Sequence, residues 1–344
     1  MKLKKTMVVL LAITVVAAFT ACGKSGSSSD SGDKVTLHFA NTLSTTNAWN
    51  RAAKDLKKDL DEKSDGKIEL VIDAGGVHGS DKEQAESCAS GDLAMVIGST
   101  VGLDAYVTEM GWINMPYVLH TMDDVDKYVF DEDGWMGKEL TKEIAKYDLK
   151  VLGYTSNDFR WLSNSKHPIK SQADLKGMKI RVPESPMYLN FFKNLGATPT
   201  SIPFTDLASA LQQKTVDGQD NGPQISVPND LQSFQKYWTK TNHAYAPAVV
   251  YISQKVWDGM SEDQQKILSE CVDDYLDEVK EKVNEDYKGF EKTMKDDGCQ
   301  VIEISDTLDK QMRSAAEKTW QTKSVTKNFN QDAVNKILED ADLK

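Results

Sequence analysis

Lys34-Val35-Thr36-Leu37-His38-Phe39-Ala40, near the start of a 344-residue chain, alternates polar and apolar side chains. A period of two marks a strand with one buried face. Outward from it the period changes. Residues 47–61 carry Trp49, Ala52, Ala53, Leu56 and Leu60 at helical spacing, and Gly66 stops the run. Ile68-Glu69-Leu70-Val71-Ile72 reads as a second strand, residues 81–89 as a helix, and Leu93-Ala94-Met95-Val96-Ile97 as a third strand. Strands alternating with helices predict an α/β fold with a largely parallel sheet, since each parallel crossover needs a covering helix.

The alternation continues. Residues 122–129 and 137–147 read as helices, and Val151-Leu152-Gly153-Tyr154 as a strand. Met178-Lys179-Ile180-Arg181-Val182 is a strand, residues 187–195 a helix closed by Gly196, and residues 206–213 another helix. Val249-Val250-Tyr251-Ile252-Ser253 is a late strand. Residues 261–297 form one long charged helical stretch, of a length that lies across more than one domain. A chain of this size can build two separate cores.

The first residues stand apart. Lys2, Lys4 and Lys5 precede an apolar run over residues 7–19, the layout of a secretory signal peptide. The run is too short for a spanning helix, which needs about 20 apolar residues. Phe19-Thr20-Ala21-Cys22 resembles a bacterial lipobox, with Phe where Leu is commoner. We therefore expect a signal peptide over residues 1–21 and lipidation at Cys22, with cleavage alone as the alternative. Residues 22–33, rich in Gly and Ser, read as a flexible tether from the outer membrane face.

Net charge is −12, and loss of the three lysines takes it to −15. This argues against nucleic-acid binding, which needs a basic footprint. An anion can still bind such a chain, because screening over about 8 Å leaves capture to nearby arginines. Cys88, Cys271 and Cys299 do not make a disulfide framework, although a Cys271–Cys299 bridge is left open. The five histidines are scattered, no Cys/His cluster has metal spacing, and no GxxxxGK[ST], HExxH or GxSxG motif is present. No metal, cofactor or catalytic group is expected.

One ordered set of motifs is specific. Asp174-Leu175-Lys176-Gly177-Met178-Lys179-Ile180-Arg181-Val182-Pro183 precedes Leu195-Gly196-Ala197-Thr198-Pro199. Phe204-Thr205-Asp206-Leu207-Ala208-Ser209-Ala210-Leu211-Gln212 and Val216-Asp217-Gly218-Gln219-Asp220-Asn221 follow. With Asn41, Gly79-Ser80-Asp81, Pro116-Tyr117, Trp257 and the start at Ser261, the set resembles the extracytoplasmic solute-binding subunits of TRAP transporters (the DctP type) over nearly all of the mature chain.

The resemblance implies a two-domain, periplasmic-binding-protein-like clamp with hinge strands and a long helix spanning both domains. The division expected is residues 34–157 plus 247–286 for domain I and 158–246 plus 287–344 for domain II. It also implies a ligand in the cleft, mostly an organic acid, passed to TRAP membrane permease subunits. A closing clamp needs free domains, so a monomer is expected.

In such a site Arg181 forks onto the ligand carboxylate, since guanidinium offers two parallel donors and keeps its charge. Arg160 stands at the second arginine position. Asn221 supplies an amide, and Phe204 packs against the ligand's apolar face, although core packing accounts for Phe204 as well. Glu184 would repel a second acid group and accept from hydroxyls, which favours a sugar acid such as a hexuronate over a C4-dicarboxylate. Asn41, Asp81 and Ser99 are weaker candidates for hydroxyl contacts, and helix capping is the competing role for Asp81. A ligand-sensing module and an exported hydrolase of acidic sugars are the readings from other classes. The hydrolase would need two carboxylates facing each other across the cleft.

Overall fold

The computed structural model describes residues 34–340. The expected signal peptide, tether and lipidation site at Cys22 lie outside these residues.

In chain order, β1 (Val35–Ala40), α1 (Ala48–Lys63), β2 (Ile68–Asp73), α2 (Asp81–Ser90), β3 (Met95–Ser99) and the one-turn α3 (Thr100–Leu103) open the fold. The short α4 (Met122–Val125), α5 (Trp135–Ala145), β4 (Leu149–Phe159) and β5 (Leu162–Asn164) follow. Next come β6 (Lys179–Val182), α6 (Pro186–Asn194), β7 (Thr198–Ser201), α7 (Phe204–Gln212), β8 (Gly218–Gln219) and α8 (Pro223–Ser226). The chain finishes with β9 (Tyr237–Lys240), β10 (Tyr245–Ser253), α9 (Gln254–Asp258), α10 (Glu262–Asp296), β11 (Gln300–Glu303), α11 (Asp306–Trp320), α12 (Lys323–Thr326) and α13 (Gln331–Glu339).

The strands form two sheets, in the orders β2-β1-β3-β10-β4 and β11-β9-β5-β8-β6-β7. In the first, β1 runs parallel to β2 and β3, while β10 is antiparallel to β3 and β4. In the second, β6 is parallel to both β7 and β8. The fold is thus α/β, with each sheet the floor of one lobe. The alternation in β1 buries Leu37 and Phe39 on α1 and α10, leaving Thr36 and His38 outside.

Local signals set the boundaries. Asn47 caps α1 by accepting from the Trp49 amide, and Ser80 with Glu83 forms a capping box at α2. Gly91 ends α2 in the left-handed region, at φ 86°. Ser261 and Gln264 box the start of α10, which runs for 35 residues, about 52 Å. Its Leu268, Val272, Tyr275 and Val279 pack with Trp49 and Leu56 under the first sheet. Further along, Met294 joins Trp161, Trp238 and Cys299 under the second. One helix therefore braces both lobes.

Several expectations need correction. β4 and β10 are far longer than the runs read as strands. Pro247 inside β10 breaks the pattern, and the structure absorbs it at a register shift between Ala246 and Ala248. The helix read over residues 122–129 is not one α-helix: α4 is followed by a π-helical turn, Asp126–Phe130. Cys271 and Cys299 are free and buried in different cores, so no bridge joins them.

Candidate ligand-binding site

Two connections between the sheets run side by side: β4 into β5 through Arg160 and Trp161, and β9 into β10 through residues 241–244. The Arg160 amide donates to the Ala244 carbonyl at 2.9 Å, and Thr241 Oγ1 donates to the Arg160 carbonyl at 3.1 Å. In front of this seam lies a small cavity of about 40 Å³, lined from the first lobe by Thr42, Leu43, Trp49, Asp81, Ser99, Val101 and Gly102. Arg160, Arg181, Pro183, Phe204, Asn221 and Ile225 complete its walls.

Arg181 is the next-to-last residue of β6, two positions before Pro183, and is 2% exposed. Its Nε donates to the Ile202 carbonyl at 2.8 Å. No carboxylate among the described residues pairs with it. Burial pulls the guanidinium down to about 10, and Arg160 adds to that; Asp220, Asp81 and Glu184 oppose it from a distance. At neutral pH the group stays charged, so a buried cation faces the cavity without a counter-ion. Such a charge is costly unless an anion meets it.

Arg160 lines the same space, but its fork is engaged. Nε and Nη2 reach the two oxygens of Asp220 at 3.0 and 2.7 Å, and the guanidinium lies 4.9 Å over the Tyr188 ring. His243 Nε2 approaches the same carboxylate at 3.6 Å. Burial would raise the Asp220 carboxyl, but Arg160 and His243 outweigh it and hold it well below the usual carboxylate range.

Asn221 follows directly. Its backbone amide donates to Gln219 Oε1 at 2.6 Å, while its buried Nδ2 has no partner among the described residues. A buried amide donor without an acceptor calls for one. Phe204, the first residue of α7, lines the cavity and also packs on two apolar cores.

Across the cavity, Asp81 is the first residue of α2, not its cap, because Ser80 holds the capping position. Its Oδ1 accepts from Thr42 Oγ1 at 3.3 Å. Burial raises its carboxyl most; Thr42 and Arg181 pull the other way, and Glu184 pushes it up. Ser99 lines the cavity while its Oγ caps α3 by accepting from the Gly102 amide at 3.1 Å.

Two expected residues stand back. Asn41 is locked into a mutual amide pair with Asn50 and accepts from the Leu43 amide, so it shapes the 41–44 turn and does not reach the cavity. Glu184 is half-buried and outside the lining, acting through its charge on Arg181 and Asp81. Sequence reasoning missed Trp49, Val101, Ile225 and the Asp220–His243 pair. Their apolar spacing reads as core, and Asp220 and His243 lie on segments that meet only in three dimensions.

The bacterial extracellular solute-binding protein, family 7, model matches residues 39–328, and the chain belongs to this family. It is 28% identical over 306 residues to the 2,3-diketo-L-gulonate-binding periplasmic protein of Escherichia coli K12, covering 87% of this chain and 92% of that one. It is 27% identical to the C4-dicarboxylate-binding protein of Bacillus subtilis, covering 80% and 78%. Among solved structures it is similar to the sugar acid binding protein of Advenella mimigardefordensis in complex with galactonate. The TM-score there is 0.83 at 26% identity, covering 89% of this chain and 97% of that one. The chain is thus a TRAP-type solute-binding protein.

Proposed function

We infer that this chain captures a small sugar acid in the cleft at Arg181 and hands it to a TRAP membrane permease, without covalent chemistry. The observation that carries this reading is the Arg181 guanidinium, buried and charged with no carboxylate paired to it. A ligand carboxylate forked onto its free nitrogens, with one oxygen taking the orphaned Asn221 Nδ2, would satisfy both groups at once. Arg160, held by Asp220, adds field and a remaining nitrogen, and Trp49, Phe204 and Ile225 give an apolar wall for the carbon chain.

Asp81 favours the sugar acid. It stands across the cavity with Thr42 and Ser99, a set that accepts from and donates to hydroxyls. Glu184 adds negative charge on that side. The second acid group of a C4-dicarboxylate would meet this charge unless Asp81 took a proton. The burial that raises Asp81 keeps the dicarboxylate reading alive, as does the similarity to the Bacillus subtilis protein. The lobes would close about residues 157–158, 246–247 and 286–287, in a monomer exported by its signal peptide and tethered through lipidated Cys22.

A thermal-shift panel tests the reading. Aldonates and hexuronates should raise the melting temperature, since a ligand at a hundredfold excess over Kd adds about 2.7 kcal/mol to the folded state. A rise with succinate alone would retain the binding function and replace the ligand class. No rise with any acid would remove Arg181 as a carboxylate receptor.

A further inference from the structure

We propose that His38, Asp73 and His78 form a binding site for a divalent transition-metal ion of the Zn²⁺ class at the rim of the cleft. His38 Nδ1 and His78 Nε2 each lie 2.7 Å from Asp73 Oδ2, and the three ligand atoms fall within 4.8 Å of one another. Two imidazoles and a carboxylate are the donor set that Zn²⁺, Co²⁺ and Ni²⁺ accept in open, water-completed sites. Ca²⁺ and Mg²⁺ prefer oxygen donors throughout.

The topology makes the cluster. His38 points outward from β1 and pairs with Val71 of β2; two residues on, Asp73 ends β2 on the same face. Gly75 and Gly76, both at positive φ, then turn the chain so that His78 comes back over Asp73. The two rings meet edge-on, with centroids 6.3 Å apart. Side-chain exposure of 50% for His38 and 37% for His78 leaves an approach from solvent and room for a water ligand. Tetrahedral bonds of about 2.0–2.1 Å put ligands about 3.3 Å apart, so each 2.7 Å contact opens by about 0.6 Å to admit the ion.

The position gives the ion a consequence. The Gly75 and Gly76 amides donate to the carbonyls of Leu43 and Asn41, the turn whose Thr42 and Leu43 line the cavity. On its other side the segment leads into Ser80 and Asp81. At Gly76 a Cβ would lie 2.7 Å from Thr205 Cγ2, so the turn touches α7 next to Phe204, on the opposite lip. A metal at His38–Asp73–His78 braces that lip.

The test is calorimetry on the chain carrying no polyhistidine tag, titrated with Zn²⁺, with Co²⁺ as a spectroscopic probe and Ca²⁺ as the control. The expected result is one Zn²⁺ per chain and the visible absorption of tetrahedral Co²⁺. His38→Ala and His78→Ala, both at exposed positions, should each weaken binding roughly tenfold or more, since even an outer-shell loss costs that much. Asp73→Asn should do the same. Absence of Zn²⁺ binding overturns the proposal. So does binding that survives in the His38→Ala/His78→Ala double variant or is matched by Ca²⁺, which would be the acidic surface at work.

Discussion

Arg181 concentrates the chemistry of the site. Its Nε is held by the Ile202 carbonyl, so the two terminal nitrogens keep a fixed aim into the cavity. Arg181→Ala should weaken acid binding by about 2–5 kcal/mol, the cost of leaving one member of a buried charge pair alone. Arg181→Lys should also lose most of the affinity, because a point charge cannot fork. Calorimetry with the ligand that the thermal panel selects checks both; near-native affinity in the two variants would place the carboxylate elsewhere. A second residue-scale prediction concerns Asp104, buried in the first lobe, which accepts from Ser185 Oγ of the second at 2.7 Å and from Asn114 Nδ2 at 3.1 Å. Burial pushes its carboxyl up to about 7. The folded state then holds a proton that the unfolded chain gives up near pH 4. This contribution to stability is fully present below pH 4 and lost as pH rises to about 7. Asp104→Asn should therefore flatten the fall in melting temperature between pH 4 and 7; an unchanged slope would mean that Asp104 is charged throughout.

Among the elements, the crossings between sheets carry the most constraint. The chain passes from β8 through Asp220, Asn221 and Gly222 into α8, which packs on β4 and α10. There the Gln224 amide donates to Asp158 Oδ2 at 2.8 Å, and Tyr287 of α10 donates to the other oxygen of the same carboxylate. A Cβ on Gly222 would stand 2.1 Å from the Phe159 carbonyl oxygen and 2.3 Å from Asp158 Oδ2. Gly222→Ala should cost about 1–3 kcal/mol, as overpacking does, and should displace Asn221 beside it. Urea unfolding measures the first effect and ligand affinity the second. A variant as stable as the native chain would show that β4 and the 220–226 segment have room to part. Much of this layer was legible in sequence: β2, α1, α7 and α10 show clear periodicity, and α1, α2 and α10 start at capping residues Asn47, Ser80 and Ser261. The strands β5, β7, β8, β9 and β11, of two to four residues, were not, because so few residues hold no period. Their pairing depends on neighbours from distant parts of the chain.

Over the whole molecule, a cleft crossed by two paired strand connections and braced by one helix is built to bend. Contacts such as Asp104–Ser185, Ser44 Oγ to the Pro228 carbonyl at 2.7 Å, and Asn47 Nδ2 to the Gln224 carbonyl at 2.9 Å tie the two sides together. The cavity walls come from both sides, and Arg181 and Asn221 are buried with them. A ligand cannot enter this arrangement without an opening motion. Small-angle scattering of the ligand-free chain should show a larger radius of gyration than the complex with a sugar acid. Identical curves would mean that binding needs no closure.

What the sequence determined by itself was the class: alternating periodicity made the α/β layers, and the ordered motifs around Arg181, Phe204 and Asn221 carried the family. Both survive because they depend on neighbours in the chain, where spacing and local hydrogen bonding act. The tertiary structure alone decided which polar groups are left wanting. Arg160 and Arg181 look alike in sequence, yet Asp220 neutralises one and no carboxylate among the described residues pairs with the other. Asn41 and Asn221 are both buried amides, but one is satisfied by Asn50 and the other is not. His38 and His78 read as scattered until a turn of glycines set both against Asp73. Charge compensation and hydrogen-bond satisfaction act over a few ångströms of space, and folding sets those distances between residues that lie far apart along the chain.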